Sequence, residues 1–81
     1  MTVKVRFYSW FKDRSGVEND SFQIEEGTSL GELLEKVHQR YPSLKESQRS
    51  TLMAVGLDYQ DPGYQLQEDD EVSFFPPVQG G

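Results

Sequence analysis

The chain opens on a strict alternation of apolar and polar side chains. Val3, Val5 and Phe7 share one parity. The side chains of the other parity are those of Lys4, Arg6 and Tyr8. Because successive side chains of a strand point to opposite faces, this period of two predicts a strand that is buried on one face only.

A second strand is predicted over residues 17–25, with Phe22 and Ile24 pointing inward. The segment between the two strands, 9–16, is too long for a two-residue turn and is polar towards its Ser-Gly end, so a longer connection is expected there. The two strands are predicted to pair as an antiparallel hairpin.

The clearest helical signal begins at Ser29. Ser29 and Glu32 have the spacing of a capping box, in which each side chain bonds the backbone N–H of the other residue. Pro42 disfavours helical geometry at the residue before it, so the helix is predicted to end near Tyr41. Apolar residues recur at helical period on a single stripe, formed by Leu30, Leu33, Leu34, Val37 and Tyr41.

The rest of the chain alternates between apolar runs and turn signals. Two or three further strands are predicted, within the apolar run 51–59, where Gly56 marks a bend or bulge, and over 71–75, which is the last strand. Residues 43–50 are predicted to form a loop or short helical turn. Further turns are predicted at 61–63 and 68–70.

This order of elements predicts an α+β fold. A hairpin requires an antiparallel pair, and a single helix covers one face of one sheet. A mixed sheet of four to five strands with one main helix packed across it meets both demands. The arrangement is that of a β-grasp, or ubiquitin-like, domain over residues 1–75, followed by an extended tail at 76–81.

Composition narrows the classes of function. The 81 residues contain no cysteine, which excludes disulfides, thiolate zinc sites and a cysteine nucleophile. No apolar run approaches the length of a membrane span, and no signal peptide is visible, so a cytoplasmic protein without membrane association is expected. The net charge of −6 repels phosphate backbones, which argues against nucleic acid as a partner and favours a basic protein surface.

A conventional active site is not visible in the sequence. His38 lies beside the apolar stripe and is interpreted as a surface or boundary histidine. The acidic run 68–71 does not match the spacing of a calcium loop and is interpreted as a solvated turn, so no metal site is expected. The chain is therefore not expected to turn over a substrate alone.

The C-terminal segment carries the strongest candidate chemistry. Pro76 and Pro77 stiffen the exit from the last strand, and Val78 follows them. Gly80 and Gly81 lack a Cβ, so they can enter a channel too narrow for side chains and present a terminal carboxylate there. A carboxylate becomes a good electrophile when ATP adenylates it, and such a tail is suited to that activation.

Outward-facing aromatic residues are predicted at the base of this tail. Val72 and Phe74 share one face of the last strand, so Phe75 projects from the other. Tyr8 projects outward by the same parity, from a strand that neighbours the last one in a β-grasp sheet. Tyr59 is a further candidate, but the glycine bend before it leaves its face open. An exposed apolar patch of this kind marks a partner site.

Several segments together resemble the MoaD/ThiS family of ubiquitin-like sulfur carriers, which includes the small subunit of molybdopterin synthase. The most specific segment is 70–81, with the sequence DEVSFFPPVQGG. Segments 11–16, 27–34 and 54–56 resemble the family more loosely, so the similarity extends over the whole chain.

The resemblance implies a two-stage cycle with no tightly bound cofactor. An E1-like adenylyltransferase would use Mg·ATP to adenylate Gly81, and a sulfur donor would convert the adenylate to a thiocarboxylate. The large synthase subunit, in a heterotetramer, would accept the tail through the narrow Gly80 and pass the sulfur to cyclic pyranopterin monophosphate, forming the molybdopterin dithiolene. The resemblance also implies that Tyr8, Tyr59 and Phe75 dock both partners.

Two positions depart from the family pattern. Asp69 stands where relatives commonly have glycine, although aspartate tolerates left-handed backbone geometry, and Gln79 replaces a smaller residue. Two alternative functions are left open. One is a protein modifier joined to lysines through Gly81, and the other is a sulfur carrier for thiamine, cysteine or tRNA thiolation.

Overall fold

The computed structural model describes residues 1–45 and 51–75. Five strands and two helices occur in this part of the chain. In chain order they are β1 (Thr2–Phe7), α1 (Trp10–Ser15), β2 (Asn19–Gln23), α2 (Leu30–Arg40), β3 (Leu52–Val55), β4 (Asp58–Tyr59) and β5 (Glu71–Phe75).

The strands form one mixed sheet in the order β2-β1-β5-β3-β4. β1 pairs antiparallel with β2 and parallel with β5, while β3 pairs antiparallel with β5 and with β4. α2 packs across one face of this sheet, which is called the inner face below; the opposite side is the outer face. These features confirm the predicted β-grasp fold and hairpin.

The core lies between α2 and the inner face of the sheet. The inward positions of β1 and the stripe of α2 both contribute fully buried side chains, as their two periodicities predict. The buried cluster comprises Val3, Val5, Phe7, Phe11, Phe22, Ile24, Leu30, Leu33, Val37, Leu44, Met53, Val55, Leu66, Val72 and Phe74.

α2 begins and ends where the sequence predicts. The Ser29 Oγ accepts a hydrogen bond from the Glu32 N–H at 3.2 Å, and the Glu32 Oε1 accepts one from the Ser29 N–H at 2.9 Å, which confirms the capping box. At the other end, the Tyr41 N–H donates to the Val37 carbonyl at 2.8 Å. Within the two described segments, no helix is long and apolar enough to cross a membrane.

The connection over 9–16 contains a helix, which the sequence did not predict. α1 has six residues, fewer than two turns, and therefore no room for a repeating apolar stripe. Phe11 anchors it, buried with its ring centroid 6.2 Å from that of Phe74. Gly16 ends α1 in a left-handed conformation at φ 82°, and its N–H donates to the Lys12 carbonyl.

Ser9 joins β1 to α1 through an uncommon backbone conformation. Its φ of 50° and ψ of −121° lie in a region that favours glycine. The Phe11 N–H donates to the Tyr8 carbonyl at 3.0 Å across this turn. The chain thereby passes from the outward-facing Tyr8 to the buried Phe11 within three residues.

The apolar run 51–59 forms two strands, so the described chain has three strands after α2, the larger of the two numbers that the sequence predicted. Gly56 and Leu57 form the turn of a hairpin, and Gly56 has a φ of 61°. Glycine suits the first central position of a two-residue hairpin turn because it adopts positive φ without steric cost. β2 is shorter than predicted, although Phe22 and Ile24 are both buried as expected.

The predicted turns lie where the sequence places them. The Tyr64 N–H donates to the Asp61 carbonyl at 3.1 Å, which closes the first. Asp69, in the second, adopts a φ of 65°, the left-handed geometry expected at this departure from the family pattern. Residues 42–45 form a helical turn that buries Leu44, and 46–50 lie outside the described residues.

Candidate docking face

The last residues of β5 alternate between the core and the outer face of the sheet. Val72 and Phe74 are completely buried on the inner face, whereas Phe75 is half-buried on the outer face. β5 is the middle strand of the sheet, and Phe75 lies opposite Leu52 of β3. Phe75 therefore lies on the central strand, where it can meet aromatic residues from either side.

Tyr8, Tyr59 and Phe75 form one group on the outer face, called the aromatic cluster below. The Tyr8 and Phe75 rings stack with centroids 4.8 Å apart and planes 10° apart. Tyr59 meets Phe75 edge-on at 6.3 Å and 72°. Tyr59 is 67% exposed, so the cluster is open to solvent. The structure thus brings together the three predicted docking residues, and their role in binding stays a prediction.

The β3–β4 hairpin sets the position of Tyr59. Tyr59 pairs with Ala54, so both side chains point to the outer face, the same side as Leu52. The sequence left the face of Tyr59 open because it could not distinguish a bend at Gly56 from a turn. The two-residue turn resolves this and carries the tyrosine back towards Phe75.

Leu57 is an exposed apolar residue that was not predicted from the sequence. It occupies the hairpin turn, fully exposed to solvent, two residues before Tyr59. The signal that could have found it is Gly56-Leu57 between two short apolar runs, which is typical of a hairpin turn with glycine first. Leu57 adds apolar surface at the β4 edge of the sheet.

Charged side chains border the aromatic cluster on the β1 side. The Arg6 Nε lies 3.1 Å from the Glu71 Oε1, and both side chains are about half exposed. A hydrogen bond with Tyr8, together with the charge of Glu71, raises the pKa of Arg6. Exposed ion pairs contribute little to stability, so Arg6 can exchange Glu71 for a carboxylate of a partner at little cost.

His38 is more buried than the sequence predicted, so its interpretation as a surface or boundary histidine is corrected. It is only 8% exposed, and its Nε2 has no hydrogen-bond partner among residues 1–45 and 51–75. Desolvation lowers the pKa of His38; Lys45 acts in the same direction and Glu35 in the opposite one. His38 lies on α2, away from the outer face.

The acidic run 68–71 forms a turn that leads into β5. The Asp70 Oδ2 accepts hydrogen bonds from the Gln67 N–H at 2.8 Å and from the Tyr64 hydroxyl at 3.1 Å. Among the residues that the structure describes, no three His, Asp or Glu side chains are grouped so that they could hold a metal ion.

The remaining candidate residues follow β5 directly in the sequence. Pro76, Pro77, Val78, Gly80 and Gly81 lie outside the described residues, so their roles stay predictions. Phe75 is the last described residue, which places the aromatic cluster immediately before them in the chain.

Comparison with known proteins gives consistent matches. The model of the ThiS family matches residues 5–81. The molybdopterin synthase sulfur carrier subunit of Chlamydomonas reinhardtii is 26% identical over 83 residues, with 100% of both chains covered.

Solved structures of similar fold cover the whole chain. One belongs to the protein–protein complex of subunits 1 and 2 of molybdopterin-converting factor from Helicobacter pylori 26695, with 29% identity, a TM-score of 0.71 and 100% of both chains covered. SAMP1 from Haloferax volcanii has a TM-score of 0.86 with 100% of both chains covered. Its identity is 16%, so this likeness concerns the fold alone.

Proposed function

Because the chain belongs to the ThiS family, we propose that it is the sulfur-carrier subunit of a molybdopterin synthase. The name of the full-length relative from Chlamydomonas reinhardtii supports this assignment. In this role the chain delivers sulfur to a reaction centre in another subunit and does not catalyse the reaction alone.

In this proposal the sulfur travels on the carboxyl group of Gly81. The Gly81 carboxylate attacks the α-phosphorus of Mg·ATP on an E1-like adenylyltransferase, which forms an acyl-adenylate and releases pyrophosphate. A hydrosulfide equivalent then attacks the acyl carbon and displaces AMP, leaving a thiocarboxylate. The cysteine-free sequence fits this route, since no side-chain thiol is needed to hold the sulfur.

The second stage takes place in the large synthase subunit. Gly80 and Gly81 have no Cβ, so the tail can enter a narrow channel and bring the thiocarboxylate to cyclic pyranopterin monophosphate. Two such transfers supply the two sulfur atoms of the molybdopterin dithiolene, and in each one water breaks the acyl–sulfur bond and returns the Gly81 carboxylate. The complex of two subunits that contains the Helicobacter pylori neighbour supports a large-subunit partner, and a heterotetramer is the proposed assembly.

The aromatic cluster is the observation that carries the docking part of this proposal. Tyr8, Tyr59 and Phe75 expose their rings together, and exposed apolar patches of this kind mark partner sites. Gly81 follows Phe75 by six residues, so covalent geometry limits their separation to about 22 Å. A partner that binds the cluster therefore has the reacting carboxyl group within that radius.

Intact-mass spectrometry tests the carrier chemistry. The full chain is incubated with its cognate E1-like adenylyltransferase, Mg·ATP and sulfide. The expected product has one oxygen replaced by sulfur, and fragmentation locates the change at Gly81. A variant that lacks Gly81 is the matched control: it should keep its thermal stability and acquire no sulfur.

Two other results would redirect the assignment. Isopeptide-linked species of higher mass, without a thiocarboxylate, would favour the modifier of lysines. A thiocarboxylate whose sulfur the large synthase subunit does not transfer to the pyranopterin precursor would favour thiamine, cysteine or tRNA thiolation.

A further inference from the structure

The outer face has a charge opposite in sign to that of the whole chain. Of all the outward register positions in the five strands, only three carry charged side chains, namely Lys4, Arg6 and Glu71. The sheet therefore presents two cations and one anion on this face, whereas the chain as a whole has a net charge of −6.

Apart from Glu71, the acidic residues of the described chain lie outside the outward register positions. Glu18, whose charge acts on Arg6 from the margin of β2, is paired with Lys12 at 3.0 Å. Asp20 and Asp58 occupy inward register positions, opposite Val5 and Val55. Others lie on α2 or on turns at the margins of the sheet, including the run at 68–70. The negative net charge of the chain thus arises mainly from residues on the helix side and on the turns. The outward positions of the strands carry more cations than anions.

We propose that the outer face docks on a partner surface with an apolar centre that receives the aromatic cluster and with carboxylates that face Arg6 and Lys4. The partner is the large subunit of the synthase, so this inference rests on the proposed function. The net charge of the chain suggested a partner with a basic surface. This inference instead predicts a partner whose docking surface is bordered by acidic residues.

Screening explains why the local charge prevails over the net charge. The Debye length at physiological ionic strength is about 8 Å. The molecule extends over 37 × 24 × 18 Å, so charges on its far side are largely screened at a surface that contacts the outer face. At close range, the sign of the residues that border the apolar contact determines which partner surface is complementary.

Arg6 is the best placed of the two cations. It has the same outward parity as Tyr8, two residues before it in the chain, and it lies opposite Ser73 in the register of β1 and β5. A planar guanidinium binds carboxylates in a bidentate manner. Glu71 holds Arg6 in the free protein, and a carboxylate on the partner would take its place or share the guanidinium on docking.

Three charge variants test the proposal against the purified large subunit at physiological ionic strength. Arg6→Glu should weaken binding by about tenfold, because two like charges then face each other. Lys36→Glu changes the net charge by the same amount on an exposed position of α2, and it should leave the dissociation constant within about twofold. Glu71→Gln frees Arg6 and should tighten binding by about two- to threefold.

The opposite pattern would overturn the inference. If Arg6→Glu and Lys36→Glu both tighten binding, the partner surface is basic; if Arg6→Glu has no effect, the outer-face cations do not contact it. Should Arg6→Glu lower the melting temperature, Lys4→Glu supplies the same test. Failure of the proposed function has a separate signature, because the wild-type chain would then neither acquire sulfur nor bind the large subunit.

Discussion

The inner and outer faces of the sheet are formed by the same strands but serve different contacts. On β5, Phe74 is completely buried against the core, while its neighbour Phe75 stays half-buried beside two exposed tyrosines. The inner face is covered by α2 from the same chain, and the outer face has no such cover in the described segments. One aromatic side chain therefore stabilises the fold, and the next is available to a partner.

Each face also contains one side chain whose polarity or burial does not follow from the alternation of the strand. These two residues show that the face of a side chain does not by itself determine its burial. Asp20 points inward on the edge strand β2, where the Tyr41 hydroxyl donates to its carboxylate at 2.5 Å and the Arg40 Nη1 at 3.0 Å. Ser73 points outward on the central strand, yet it is only 7% exposed because its register neighbours Arg6 and Ala54 flank it. Burial depends on distance from the sheet edge as well as on the face.

Phe74→Ala is expected to give the largest effect, a loss of about 3–5 kcal/mol in the free energy of unfolding. The truncation leaves a cavity among Phe7, Phe11 and the other buried residues around the ring. Urea denaturation of the variant and the wild type measures the difference. A loss below about 1 kcal/mol would mean that the inner face is not the well-packed core described above.

Phe75→Ala should affect partner binding more than stability, the opposite of what is expected for Phe74→Ala. We expect it to weaken binding to the large synthase subunit by about 2 kcal/mol, roughly 30-fold, because Phe75 is the central ring of the aromatic cluster. Its effect on unfolding should be much smaller than that of Phe74→Ala. Calorimetric titration measures the affinity.

Val17→Ala is the matched control for Phe75→Ala, since Val17 is an exposed apolar residue outside the strands and the cluster. It should bind like the wild type. Equal losses for both variants would show that general surface hydrophobicity, and not the aromatic cluster, governs docking.

The elements with long periodic patterns could be predicted from the sequence. β1, α2 and β5 each bury one face, so apolar residues repeat with the period of the element. The same parity also predicted that Tyr8 and Phe75 point outward on neighbouring strands. Their stacking follows from the register, in which Phe7 pairs with Phe74.

The parts that the sequence could not predict are short or depend on a turn. α1 buries only Phe11, and β4 has two residues and buries neither, so no apolar pattern can repeat. The face of Tyr59 depends on the turn at Gly56, because a shift of one residue reverses every side chain of a strand. The positive character of the outer face was likewise hidden by the net charge of −6.

Asp20→Asn tests the polar exception on the inner face. Burial raises the pKa of Asp20, but hydrogen bonds from Tyr41, the Ser21 N–H and Arg40 outweigh it, and the net pKa is lowered. A lowered pKa in the folded state adds stability that is present above the unfolded value of about 3.9 and is lost as the pH falls through the folded value.

The variant should therefore lose about 1–2 kcal/mol at pH 7, and its stability should fall less steeply than that of the wild type below about pH 4. Thermal unfolding across the acid range measures both quantities. Tyr41→Phe, which removes one donor to the carboxylate, should reproduce part of the change. If the stability of the variant falls with decreasing pH as steeply as that of the wild type, Asp20 is not responsible for the loss of stability in acid.

Ser9→Gly tests the residue at which the chain passes from the outer to the inner face, and its effect should be the smallest. A non-glycine residue at φ 50° and ψ −121° costs about 1–3 kcal/mol, of which the greater freedom of glycine in the unfolded chain offsets about 0.5–1 kcal/mol. We expect a net gain of about 0.5–1 kcal/mol in unfolding free energy. Ser9→Ala keeps the Cβ and should gain nothing. If alanine stabilises as much as glycine, the hydroxyl and not the backbone is the source of the cost, and the passage between the two faces is unstrained.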